Sequence, residues 1–257
     1  MSGRESTAVI LTKYDIKIIF TNGGYIVNRP IRILFQGDSI TDGNRLKDPA
    51  SRWDLNHQIG HSYVFNITGT LGRTAPGKYT IINRGVSGDT VEKIAVRWQR
   101  DTLDETPDIL SLLLGINGNG NFDGCFPEGQ EEHLRQFETG YRNLLADARK
   151  NNPALKLILI EPFVLPAGTR KDHFDTFMPF FRRKQACIRQ IAADTGAIFV
   201  PVQDKLNRLV TETAPLLTEA GCSTDPYAYW LWDGVHPTEP MHSFLADLWM
   251  ESAGNIL

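Results

Sequence analysis

Short apolar runs and amphipathic stretches alternate along this chain. "IRILFQ" (31–36), "YTIIN" (79–83), "DILSLLLG" (108–115), "LKLILIEP" (155–162) and "AIFVPV" (197–202) form the first class. The third of them is apolar at nearly every position, which predicts a strand covered on both faces. Between these runs lie "HSYVFNITGTLGR" (61–73), "TVEKIAVRWQ" (90–99), "EEHLRQFETGYRNLLADARKN" (131–151), "FFRRKQACIRQIAADTG" (180–196) and "HSFLADLWMESA" (242–253). These read as helices. In the second, apolar residues fall at 91, 94, 95 and 98, and Gly196 closes the fourth. Such alternation predicts one domain with a parallel sheet and helices on both faces. The first 30 residues differ. "KYDIKIIF", "TNGG" and "YIVN" read as a β-hairpin with an Asn-Gly turn, an extension over 1–30 ahead of the main domain at 31–257. A place at a sheet edge and a homo-oligomer contact are both open to it.

Composition narrows the class. The chain is 41% apolar and 22% charged, ordinary for a globular protein with a real core. A net charge of −3 leaves no electrostatic footprint for nucleic acid or an anionic membrane. Cys125, Cys187 and Cys222 lie far apart, which argues against a disulfide framework or a zinc knuckle and suits a reducing compartment. "AVILTKYDIKIIF" is interrupted by Lys13, Asp15 and Lys17, too often for a signal segment or a membrane span. The expected localisation is cytoplasmic.

In open parallel sheets ligands collect beyond the carboxyl ends of the strands. The loops there read "GDSITDGNR", "RGVSGDT", "GINGNGN" and "EPFVLPAG", and "WLWDGVHPTEP" precedes the last helix. Acyl transfer needs a nucleophile, a base, a group that orients the base, and oxyanion donors. Ser39 offers a hydroxyl at a rigid strand end. Asp233 and His236 stand close enough in one loop for the carboxylate to hold the imidazole. The Gly88 N–H, the Asn117 amide and the Ser39 N–H supply three oxyanion donors. Taken alone, Ser39 reads more readily as a helix cap, a reading that the other blocks reverse, and Asp38 reads as a structural acceptor. "HQIGH" (57–61) has the spacing of a zinc pair but lacks a third ligand, so no metal is expected. "GNGNFDG" lacks the Lys-Ser/Thr of a phosphate loop and is expected to cover the site.

The four blocks "GDSITDG", "NRGVSGDT", "LLLGING" and "WDGVHP", in this order, resemble the SGNH (GDSL) hydrolase family over roughly residues 31 to 250. The resemblance implies that Ser39 is the nucleophile, His236 the base and Asp233 its orienter, with Gly88 and Asn117 completing the oxyanion hole. It implies a three-layer α/β/α sandwich of flavodoxin-like type with a five-stranded parallel sheet, and no metal or organic cofactor. The texture around the blocks is similar to carbohydrate acetylesterases, acetylxylan esterases included. The expected substrate is then a small ester or an acetylated oligosaccharide, with Trp98, Trp230, Trp232 and Tyr229 as candidates to stack on sugar. Two positions depart from the family pattern: Gly118 stands where an Asp is usual, and Met241 where a Gly is usual. Rival readings are a lipolytic acylhydrolase or thioesterase acting on longer chains, and a non-catalytic binding module on the same scaffold.

Overall fold

The computed structural model describes residues 9–11, 17–21, 24–47, 55–118 and 129–257 of the 257-residue chain. Three short strands come first: β1 (Val9–Leu11), β2 (Lys17–Thr21) and β3 (Gly24–Asn28). They pair antiparallel in that order, with Lys17 opposite Asn28 and Thr21 opposite Gly24. The strands of the expected hairpin are therefore β2 and β3. The Asn22-Gly23 turn lies outside the described residues, and β1 is a third strand that the pattern does not announce.

The second sheet contains β4 (Ile31–Gly37), β5 (Tyr79–Asn83), β6 (Ile109–Leu113), β7 (Lys156–Ile160) and β8 (Ile198–Val200). It is parallel throughout, in the order β5-β4-β6-β7-β8. Each strand coincides with a run read from the sequence, β4 passing its run by one residue at Gly37, and the reason is visible face by face. Ile33, Phe35, Ile109, Leu113, Ile158 and Ile160 enter one core. Leu34, Leu110, Leu112, Leu157 and Leu159 enter the other. Successive strand side chains point to opposite faces, so a sheet covered on both sides needs apolar residues at every position. The buried polar exceptions are paired. Ser111 Oγ accepts from the Trp249 indole at 3.0 Å, and the Gln36 amide donates to the Asp101 carbonyl and Thr102 Oγ1.

The helices are α1 (Ser39–Asp42), α2 (Leu55–Ile59), α3 (Tyr63–Thr74), α4 (Val91–Trp98), α5 (Gln130–Asn151), α6 (Phe174–Thr195), α7 (Gln203–Glu219) and α8 (Glu239–Ala253). Buried residues of α3, α7, α8 and the first half of α6 line one face of the sheet. Those of α4, α5 and the second half of α6 line the other, giving the three-layer α/β/α sandwich. Four helices depart from the sequence reading, α1 and α2 because four and five residues are too short to show a helical repeat. α6 opens at Phe174 rather than near 180, with Pro179 inside its first turns masking the start. α7 is absent from that reading because only Gln203, Leu206 and Val210 are buried and Pro215 interrupts it, so its apolar stripe is weak.

The chain leaves β4 toward β5 on one side, and later returns to place β6 on the other. The topological switch point therefore falls between β4 and β6, where open α/β sheets bind ligands. Ser39 follows β4, and Asn117 follows β6.

Candidate active site

Beyond Gly37 the chain turns into α1 through Asp38, whose Oδ1 accepts the Ile40 N–H at 3.0 Å. Ser39 is thereby fixed as the first residue of the short helix, half-buried. Asp38 itself is fully buried. Burial raises its carboxyl to about 7, against the pull of the Ile40 hydrogen bond and the His236 charge. Asp42, at the far end of α1, accepts both the N–H and the Oγ–H of Ser87 at 2.9 Å. It ties the Ser39 turn to the loop that carries Gly88.

His236 Nε2 lies 2.9 Å from Ser39 Oγ, and His236 Nδ1 lies 2.7 Å from Asp233 Oδ2. The other carboxylate oxygen of Asp233 accepts the N–H of Val235 at 3.0 Å and of His236 at 2.8 Å. Burial alone would raise the Asp233 carboxyl; the hydrogen bonds from His236 and Val235, with the His236 charge, outweigh it and hold the group down at about 2. Asp233 in turn raises His236 above the ordinary histidine value, first through the ring hydrogen bond, while burial opposes. An ionised Asp233 accepts the Nδ1–H hydrogen bond and so keeps the proton on Nδ1. The unprotonated Nε2 can then accept from Ser39.

The Asp233 turn meshes with the segment after β7. The Leu165 N–H donates to the Gly234 carbonyl at 2.9 Å. A Cβ on Gly234 would lie 2.5 Å from the Ala167 carbonyl oxygen, and one on Gly168 would lie 2.7 Å from the Asp233 Cα. Both glycines have positive φ, +89° and +51°.

On the opposite side, Asn117 Nδ2 donates to the Asp89 carbonyl at 3.1 Å. The Asp89 carboxylate pairs with Arg97 at 2.5 Å, and Arg97 also donates to the Arg84 carbonyl and to Gln36 Oε1. Gly118 has φ +72°, and a Cβ there would lie 3.2 Å from Thr90 Cγ2. Backbone and neighbour together favour glycine where an Asp is usual. Asn119, Asn121 and the rest of the expected covering loop after Gly118 fall outside the described residues.

The aromatic candidates separate. Trp232 is 61% exposed, and its ring stacks on His236 with centroids 5.6 Å apart and planes 19° apart. Trp98 is not at the site: it is 3% exposed and packs in the core beneath α4, because the helical spacing that makes α4 legible puts position 98 on its inner face. Trp230 is also a core residue, 8% exposed, with its indole N–H on Thr213 Oγ1. Tyr229 contributes its carbonyl to Thr238.

Sequence reasoning missed Asp42, Lys184, Arg170 and Gln203. Burial lowers the Arg170 guanidinium to about 10, opposed by the nearby Asp233 charge. Gln203 grips both the N–H and the carbonyl of Val164, bracing the segment after β7. A polar residue at a core-spaced helical position was the available signal for Lys184. A cavity of about 700 Å³ lies among Leu165, Phe174, Met178, Val210 and Pro215; Gln203 lines it, and none of Ser39, His236, Asp233, Gly88 and Asn117 does.

With a serine, an imidazole and a carboxylate in one hydrogen-bonded line at the switch point, the fold and site define a class. Residues 35–244 match the GDSL-like lipase/acylhydrolase family, and the chain belongs to that family. It is a serine esterase. Of known proteins, the acetylxylan esterase of Geobacillus stearothermophilus is 29% identical over 226 residues, 87% of this chain and 94% of that one. Among solved structures, a GDSL-like lipase by assignment, from Parabacteroides merdae, superposes with a TM-score of 0.73 at 31% identity, covering 88% of this chain and 96% of that one. The acetylxylan esterase structure gives 0.68 at 27% identity, covering 88% and 95%. That enzyme has also been crystallised as three catalytic mutants, with a serine, an aspartate or a histidine replaced by alanine; its aspartate and histidine stand three residues apart.

Proposed function

We propose that this esterase removes O-acetyl groups from carbohydrate through an acyl-enzyme on Ser39. The hydrogen-bonded line from Ser39 Oγ through His236 to Asp233 carries the catalytic half of the reading. The catalytic serine, aspartate and histidine of the acetylxylan esterase support the same roles here, since Asp233 and His236 are also three residues apart. The exposed Trp232 ring beside His236 supports the sugar half, because a flat indole face suits the C–H face of a pyranose.

In the first half-reaction Ser39 Oγ attacks the acetyl carbon, and its proton passes to His236 Nε2. The carbonyl electron pair moves to oxygen, where the N–H groups of Ser39 and Gly88 and the Asn117 amide receive it. Collapse of this intermediate expels the sugar alkoxide, which takes the proton from His236. Water then attacks acetyl-Ser39 by the same route, releasing acetate and restoring the hydroxyl.

The test is acetate release from acetylated xylo-oligosaccharides beside a chain-length series of p-nitrophenyl esters. Release that disappears in Ser39→Ala, with acetyl preferred in the series, is the expected result. A rate that climbs beyond about six carbons, at roughly 0.8 kcal/mol per buried CH₂, would replace the sugar reading with a lipolytic one.

A further inference from the structure

α6 buries Phe177, Phe181, Ile188 and Ile191 along one side, and Lys184 falls in the same stripe at 1% exposure. A leucine there would be cheaper, since an ammonium taken out of water costs several kcal/mol unless its surroundings compensate. The surroundings are specific. Lys184 Nζ donates to the Asn117 carbonyl at 3.4 Å and sits 4.4 Å from the centre of the Phe137 ring on α5. Three described titratable neighbours feel its charge: His133, Glu92 and Cys187, whose thiol is raised by burial while Lys184 opposes. Burial and then Lys184 hold His133 of α5 below the ordinary histidine value, with Glu92 opposing. Glu92 of α4 is held low although burial opposes, through Thr90, His133 and Lys184 among its partners.

Asn117 therefore has two anchors. Its side chain is aimed by the Asp89 carbonyl, and its backbone is held from below by a buried cation. Gly118 follows it with positive φ and no side chain, so the next residue supplies no anchor of its own. We propose that Lys184 is a positioning residue for the oxyanion hole, fixing the Asn117 backbone so that its amide meets the developing charge. This rests on Asn117 being an oxyanion donor. Lys184 touches neither substrate nor the reacting atoms; it acts through Asn117.

The experiment is a double-mutant cycle on p-nitrophenyl acetate, whose small leaving group limits remote binding effects. Lys184→Met and Lys184→Gln are each made with and without Asn117→Ala, and thermal melts establish which variants fold. Lys184→Met is expected to lower kcat about 10- to 100-fold with KM changed less than about threefold, and Lys184→Gln, which keeps a donor, to lose less. In the Asn117→Ala background the same change at 184 is expected to cost less than about threefold, because the group it positions is gone. Equal losses in both backgrounds would overturn the proposal, as would unchanged kcat in Lys184→Met. If Lys184→Met does not fold, Lys184→Gln closes the cycle by the same criterion. Full activity in Asn117→Ala alone would instead sink the oxyanion assignment and the proposal with it, an outcome visible before position 184 is touched.

Discussion

Two short segments carry the polar side chains assigned to work on Ser39, and they are built in opposite ways. The 233–236 turn makes its own geometry. One carboxylate takes the N–H of Val235, the N–H of His236 and the His236 ring, all within four residues. The 115–118 segment is aimed from a distance. Asn117 leans on Asp89, Asp89 on Arg97, and Arg97 on Gln36 and Arg84, while Lys184 reaches it from α6. A local device depends on few residues. A relayed one is only as rigid as its most distant member, and its energetics are not additive.

The comparison can be broken from either side. Ser39→Ala removes what both segments serve, and should lower ester hydrolysis by about 10⁵-fold or more, measured as kcat/KM on p-nitrophenyl acetate. Asp233→Asn keeps the shape of the local turn but frees the imidazole to take the wrong tautomer; a loss of about 10⁴-fold in kcat is expected. Asn117→Ala strikes the relayed side, and should cost about 10²–10³-fold in kcat with little change in KM.

A pH profile sharpens the contrast. Asp233 raises His236 above its ordinary value of about 6.5. The base works only when neutral, so kcat/KM should rise with pH across a midpoint above about 6.5. The residual activity of Asp233→Asn should show a lower midpoint, whereas Asn117→Ala should leave it in place. A flat wild-type profile between pH 5 and 8 would remove His236 as the base.

The smallest effect concerns stability at Asp38. Its folded-state value near 7 lies above the ordinary value of about 3.9, so the folded form holds the proton more tightly than the unfolded form. Its contribution to stability is therefore complete below about pH 4 and lost as pH rises through 7. Asp38→Asn should flatten that decline and raise Tm at pH 8 by a few degrees relative to its effect at pH 5, read by thermal melts at both.

The same contrast explains what the sequence makes legible. The five strands of the parallel sheet are readable because both faces are covered, and the Asp233–His236 pair because its members lie in one loop. Trp98 and Trp230 show the limit of residue type as a guide: an aromatic suits a sugar face and a core equally, and only the fold decides. Lys184 sits 67 residues from its Asn117 contact, and no local pattern joins them. α7 stays hidden because it buries so little of itself.

The interlocked glycines at 168 and 234 bear on how such a scaffold changes over time. There the segment after β7 and the turn that carries His236 meet backbone to backbone, with no space for a side chain between them. Lengthening or shortening that segment would push directly on His236. New substrate preferences on this scaffold should therefore arise through residues that can vary without moving the imidazole, such as the exposed ring at Trp232. A library diversified at 232 should retain far more active members than one of equal size spread over 165–168.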